Sequence, residues 1–171
     1  MNNKNFFEHF RELNYRILTA LFVISIFFIF VYINYSSIYK ILITPLMNAG
    51  YSSDELIAFT IYEGFQVKIL NTFFVAISLS MPLVIFIVGY FFKPAFETLS
   101  HKLFIFYIVV FVILFYLGIF SAYKTLPVGI KFLLAFNESD FILRTQNYFQ
   151  LISRISILFG ISFQTPLVIY F

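Results

Sequence analysis

The sequence predicts an all-α fold, a polytopic bundle of transmembrane helices, and three observations predict it. Only 11% of the 171 residues are charged, 61% are hydrophobic, and the mean hydropathy is +0.94. A soluble domain carries about 25% charged residues, so eleven Lys/Arg and eight Asp/Glu cannot clothe one of this size. Stretches 17–39, 69–92 and 103–123 hold no charged side chain, and 155–171 is a fourth such stretch. About 20 apolar residues cross the roughly 30 Å of hydrocarbon at about 1.5 Å per residue. None of the stretches alternates apolar and polar residues with period two, which argues against a barrel and leaves helices.

The elements follow in order as one membrane domain over 1–171, with spans at about 17–37, 69–92, 103–123 and 149–171. The tail before the first span mixes Lys4, Glu8, Arg11, Glu12 and Arg16, and no small-residue cleavage site follows the apolar run. It therefore reads as a permanent tail rather than a signal peptide. Segments 38–47 and 126–136 are apolar with one Lys each and too short to span, so they are expected as interfacial helices in two outer loops. The runs 50–54 and 137–140 carry turn chemistry. Basic residues are densest in the tail and in the short loop with Lys93 and Lys102, which places both on the inner face.

Composition also bears on function. There are no cysteines and two histidines, so neither disulfides, thiolate chemistry nor a metal or haem site is expected, and no cofactor either. No phosphate loop, nucleophile elbow or zinc helix motif occurs, so the chain does not read as an enzyme. All eight acids lie outside the spans, whereas proton-coupled transporters keep ionisable groups inside them. Arg154, at the start of the fourth span, reads as a cation snorkelling to an interface.

A few polar residues and prolines stand at special places. Glu12 precedes the first span and can pair with Arg11 or Arg16 at helical spacing, or face a basic ligand. Glu97 lies in the inner loop after Pro94. Pro82 and Pro166 fall inside spans and free carbonyls one turn earlier. Gln164 is the most polar side chain deep in a span, and another helix, in this chain or a partner, must satisfy it.

Together these residues resemble the TatC family, the multispanning receptor core of the twin-arginine protein translocase. The tail His9-Phe-Arg-Glu12-Leu-Asn-Tyr-Arg16 resembles the family's opening motif. Thr44-Pro45-Leu46 resembles its first outer loop, and Tyr62-Glu63-Gly-Phe65 with Lys68 resembles the lead into the second span, without the family's proline. Pro82 matches a mid-span proline, and Phe91-Phe-Lys-Pro94-Ala-Phe resembles the inner loop. Gly118 to Tyr123 with Pro127 resembles the exit from the third span, and Phe159-Gly-Ile-Ser-Phe-Gln164-Thr-Pro166 resembles the fourth.

The resemblance implies a component that binds twin-arginine signal peptides of folded precursors and recruits TatA/TatB-type single-span subunits, driven by the proton-motive force. It implies signal-peptide binding at Glu12, Glu97, Arg16, Phe91 and Pro94. Contacts with partner helices would fall at Gln164, Pro45, Glu63, Phe65 and Tyr123. A homo-oligomer within the complex is expected, and no nucleic-acid partner. Three positions depart from the family: its second inner glutamate falls on Ser100, its tail arginine on Asn14, and its fourth-span glutamate on Gln164. The family has six spans, so the chain is expected to hold four of them, as a partial sequence or one piece of a split product. Phe 27 and Tyr 12 against Trp 0 suggest A+T-rich coding and a mitochondrial inner-membrane protein with its N-terminus in the matrix. A bacterial plasma membrane or a thylakoid is the alternative. The rival reading, a hydrophobic respiratory or ATP-synthase subunit, calls for intramembrane acids or paired histidines.

Overall fold

The computed structural model describes residues 3–93, 100–136 and 142–170. Its helices are α1 (Asn3–Ile33), α2 (Tyr35–Asn48), α3 (Glu63–Phe92), α4 (His101–Leu134), α5 (Thr145–Ser162) and α6 (Thr165–Tyr170). Two two-residue strands, β1 (Leu56–Ile57) and β2 (Leu143–Arg144), pair in parallel with Leu56 opposite Leu143 and Ile57 opposite Arg144. Among the described residues, three helical stretches are long and apolar enough to cross a membrane: Phe10–Ile33, Glu63–Phe91 and His101–Leu134. Helices α1 and α3 pack side by side, as do α4 and α5, and α5 also meets α3. We call the end bearing α2 and the strands the loop side. The opposite end, with the start of α1, the end of α3 and the start of α4, is the tail side.

Segment 38–47 lies within α2, a separate helix set off by Asn34, whose side-chain amide donates to the Phe30 carbonyl at 2.9 Å. Helix α2 ends on Gly50, the one described residue type that takes a φ of +91° cheaply. The Gly50 N–H donates to the Met47 carbonyl and the Tyr51 N–H to that of Leu46, which closes the helix in a Schellman turn. A capping box on Ser52 and Glu55 follows, so the turn chemistry expected at 50–54 is present.

Segment 126–136 behaves differently from expectation. It is no separate interfacial helix: α4 continues through Pro127 to Leu134. The reason is length and burial together. Thirty-four residues extend about 51 Å, well beyond about 30 Å of hydrocarbon, and the overhang buries Leu126 and Ile130 on the loop side. The fourth expected span, 149–171, is divided between α5 and α6 by a break at Phe163 and Gln164. Pro166 therefore stands in the first turn of α6, where its missing N–H has no helical acceptor to lose, rather than kinking a continuous helix.

Most of the close-packed core sits on the loop side. Leu42, Ile43 and Leu46 of α2 meet Val67 of α3, Leu126 and Ile130 of α4, and Tyr148, Phe149 and Ile152 of α5. Deeper in the bundle the helices meet by small residues instead. A Cβ added to Gly118 would stand 2.6 Å from the Phe159 carbonyl oxygen, and one added to Gly160 would stand 2.9 Å from the Phe115 ring. Two glycines thus let α4 and α5 touch backbone to backbone, the usual mode of association where lipid removes the hydrophobic drive.

Candidate functional site

The tail side is built on helical periodicity. Glu12 and Arg16 are four apart on α1, so their side chains meet on one face. Arg16 Nε and one terminal nitrogen donate to Glu12 Oε1 at 3.1 and 2.6 Å. The other terminal nitrogen donates to the Ile87 carbonyl of α3 at 3.1 Å. Arg16 thereby fastens the tail to the last turns of α3, whose Phe91 stands one turn beyond Ile87. Both arginine bonds fall on one carboxylate oxygen. Glu12 Oε2 has no partner among the described residues, and the side chain is 48% exposed. The site thus offers an accessible carboxylate oxygen beside an anchored cation. Pro94 and Glu97, the other expected members, lie outside the described residues.

Ser100, the position the resemblance sets against a second inner glutamate, has a plain structural task. It is the N-cap of α4, and its hydroxyl accepts from the Leu103 N–H at 3.4 Å. Beside it, the Lys93 ammonium donates to His101 Nδ1 at 2.8 Å and lies 5.1 Å from the Tyr90 ring centre.

The loop side holds a polar clasp that sequence reasoning only half identified. Glu63 is fully buried. Its Oε2 accepts from the Phe59 N–H at 2.9 Å, and its Oε1 accepts from the Gln146 N–H at 3.0 Å. Arg144 Nε donates to both oxygens, at 3.2 and 3.3 Å, and its guanidinium also donates to the Gln146 side-chain oxygen at 3.0 Å. One carboxylate therefore joins both outer loops at the start of α3. Arg144 and Gln146 were not singled out from the sequence, because nothing local to 144–146 shows that Glu63 folds onto it.

Prolines organise the rest of this side. Pro45 has no N–H to give the Ile41 carbonyl, four residues back. The Tyr123 hydroxyl donates to that carbonyl at 2.8 Å. One residue along, the Tyr148 hydroxyl inserts into α2, donating to the Leu42 carbonyl at 2.8 Å and accepting the Leu46 N–H at 3.2 Å. The same arrangement recurs in the membrane-capable part of α3: Pro82 leaves the Ser78 carbonyl open, and the Tyr116 hydroxyl of α4 donates to it at 2.9 Å. The sequence leads one to expect freed carbonyls at Pro82 and Pro166: at Pro82 the carbonyl is taken inside the chain by Tyr116, Pro166 at the start of α6 frees none, and Pro45 adds the same arrangement with Tyr123.

Of the five residues expected to touch partner helices, Pro45 and Glu63 are fully buried and have no surface to offer in this arrangement. Tyr123 is half-buried and its hydroxyl is spent on Ile41. Phe65 is 65% exposed and available. Gln164 is buried, and its amide nitrogen donates to the Phe111 carbonyl of α4 at 3.2 Å and to that of Gly160 at 3.4 Å. Its side-chain oxygen is buried without a hydrogen-bond partner among the described residues. The donor half of the amide is thus used within the chain. No cluster of metal-ligating side chains occurs among the described residues.

Comparison with known proteins agrees with this architecture. The family described as Sec-independent protein translocase protein (TatC) matches residues 8–171. The TatC protein of Aquifex aeolicus (strain VF5) is 28% identical over 95% of this chain and 70% of its own length. That of Rickettsia prowazekii (strain Madrid E) is 30% identical over 96% and 69%. That of Escherichia coli (strain K12) is 26% identical over 94% and 64%, so the chain spans roughly two thirds of the relatives it matches. A crystal structure of the twin-arginine translocase receptor TatC, 26% identical, superposes with a TM-score of 0.81 over 95% of this chain and 74% of that one. The helical bundle and the match along nearly its whole length identify the chain as a member of the TatC family of Sec-independent protein translocases.

Proposed function

We propose that the tail side of this chain receives the twin-arginine signal of a folded precursor, as part of a Tat translocase. Family membership gives the coarser part of this reading: a multi-pass membrane protein, component of twin-arginine translocation, working in a complex with other subunits. The observation that carries the finer part is the Glu12 carboxylate. One of its oxygens has no partner among the described residues, and the side chain is half exposed on a helix that Arg16 fixes against α3. A guanidinium needs such an acceptor, and charge-assisted pairs are strong where water is partly excluded. Glu97 is the second candidate acceptor, with Phe91 and Pro94 as apolar neighbours of the bound segment. Arg16 holds the carboxylate in place and competes for it, so binding uses Oε2 or displaces Arg16.

For the single-span TatA/TatB-type subunits, the exposed Phe65 at the start of α3 is the contact favoured here. The side-chain oxygen of Gln164 is a second candidate, reached only by a small shift of α4 or α6. Residue usage of the A+T type favours a mitochondrial inner membrane with the N-terminus in the matrix, and association of several copies in the complex is part of the same reading.

Site-specific photocrosslinking tests the receptor role. A precursor bearing a twin-arginine signal should label a photoreactive residue at position 12, and labelling should fall when its two arginines become lysines. Undiminished precursor binding in Glu12→Gln combined with Glu97→Gln would overturn the assignment.

A further inference from the structure

A cavity of about 420 Å³ opens between α3 and α5, over the face of α4. Leu70, Phe74 and Met81 of α3 form its apolar wall; Gln150, Ser153 and Arg154 of α5 supply polar atoms, as does Ser78 of α3, whose hydroxyl is already donated to the Phe74 carbonyl at 2.9 Å. The eleven-residue step from Leu70 to Met81 covers about 16 Å at 1.5 Å per residue. That matches one leaflet, half of roughly 30 Å of hydrocarbon, and Leu70 stands at the loop-side end, two residues after Lys68.

Arg154 has no ion-pair or hydrogen-bond partner among the described residues, although it faces this apolar space. The acids within the described structure are far in sequence or already engaged: Glu63 in the clasp, Glu12 with Arg16, Glu55 in its capping box. A cation in hydrocarbon calls for an anion or a route to the headgroup layer. Gln150 lies one turn nearer the loop side on the same face, so the guanidinium can snorkel towards it. Independently, Ser153 in the same wall is 8% exposed and its hydroxyl has no hydrogen-bond partner among the described residues.

We propose that this cavity binds one anionic phospholipid of the loop-side leaflet, with an acyl chain along α3 and the phosphate held by Arg154 and Gln150. Three features favour a lipid over a partner helix. The available polar groups can all donate, which suits phosphate oxygens. The cavity has the length of a leaflet. Its volume would be filled by about one turn of a helix 10–12 Å across, whereas an acyl chain is thin enough to lie along it. The proposal is independent of the signal-peptide reading, since it involves neither Glu12 nor the tail side.

The test uses the whole chain in phosphatidylcholine vesicles containing a trace of photoactivatable phosphatidylglycerol. Mass spectrometry should find the label on α3 and α5 around Leu70–Met81 and Gln150–Arg154. Arg154→Gln should lower labelling about tenfold, since hydrogen bonds to a charged group are each large enough for that, and Arg154→Lys should restore much of it. A photoactivatable phosphatidylcholine should label this cavity weakly in every variant. Equal labelling by both lipids, or no change in Arg154→Gln, overturns the proposal. So does capture of another polypeptide instead of lipid by a photoreactive residue at position 154. Should Arg154→Gln fail to fold, competition on the unaltered chain decides: unlabelled phosphatidylglycerol must displace the probe and phosphatidylcholine must not.

Discussion

On the loop side, Leu46, Leu126 and Phe149 are 0 to 2% exposed and a fully buried carboxylate joins two loops. On the tail side, α1 is joined to α3 by the Arg16 guanidinium, 23% exposed, on the Ile87 carbonyl, and the Glu12 carboxylate paired with that guanidinium on α1 is 48% exposed. Between the two, only 11 to 17% of the apolar window of each membrane-capable helix is buried within the chain. The difference follows the solvent. At the loop side, water and headgroups are near enough for the hydrophobic effect to build a small core. In hydrocarbon that drive vanishes, and close glycine contacts and tyrosine hydroxyls hold the helices. On the tail side the Glu12 carboxylate keeps one oxygen without a partner among the described residues, and the proposed receptor role for a basic peptide rests on that oxygen.

Glu63→Leu should break the contrast most severely. It leaves two backbone N–H groups and the Arg144 guanidinium without their acceptor. Rapid protease nicking of the outer loops in oriented vesicles is expected, with the three membrane-capable helices retained. Nicking no faster than in Glu12→Leu would mean the clasp does not hold the loop side. Phe149→Ala, at 1% exposure, should cost about 3–5 kcal/mol in detergent unfolding. Gly118→Ala should cost about 1–3 kcal/mol by forcing α4 from α5, because the new methyl meets backbone atoms that cannot swing aside. Tyr116→Phe, which leaves the Ser78 carbonyl open opposite Pro82, should cost about 1 kcal/mol. Glu12→Gln should be the mildest for stability, at about 0.5 kcal/mol or less for an exposed pair four apart, while precursor binding falls. A large stability loss there would erase the distinction between a structural and a receiving end.

Much of this was legible in advance for a physical reason. Charge exclusion from 17–39, 69–92 and 103–123 is a local property, and the cost of charge in lipid reads it directly as helix positions. The Glu12–Arg16 spacing is equally local, because four residues on a helix always share a face. What stayed hidden depends on segments distant in the chain. Nothing near Glu63 says that Arg144 and Gln146 will meet it, eighty residues later. The tyrosines that complete Pro45 and Pro82 come from α4 and α5, and the periodicity of those helices does not single them out.

The sequence by itself therefore determined the solvent of this protein, its helices and the charged tail at one end. Each rests on composition or on spacings within one helix turn. Only the tertiary structure decided which groups would be occupied and which left open. It buried Glu63 and Pro45, carried α4 past the membrane into the loop-side core, and turned the Gln164 amide onto Phe111. It also left Glu12 Oε2 and Arg154 without partners among the described residues. Satisfaction of a polar group is a property of neighbours, and neighbours across the bundle are set by packing rather than by order along the chain.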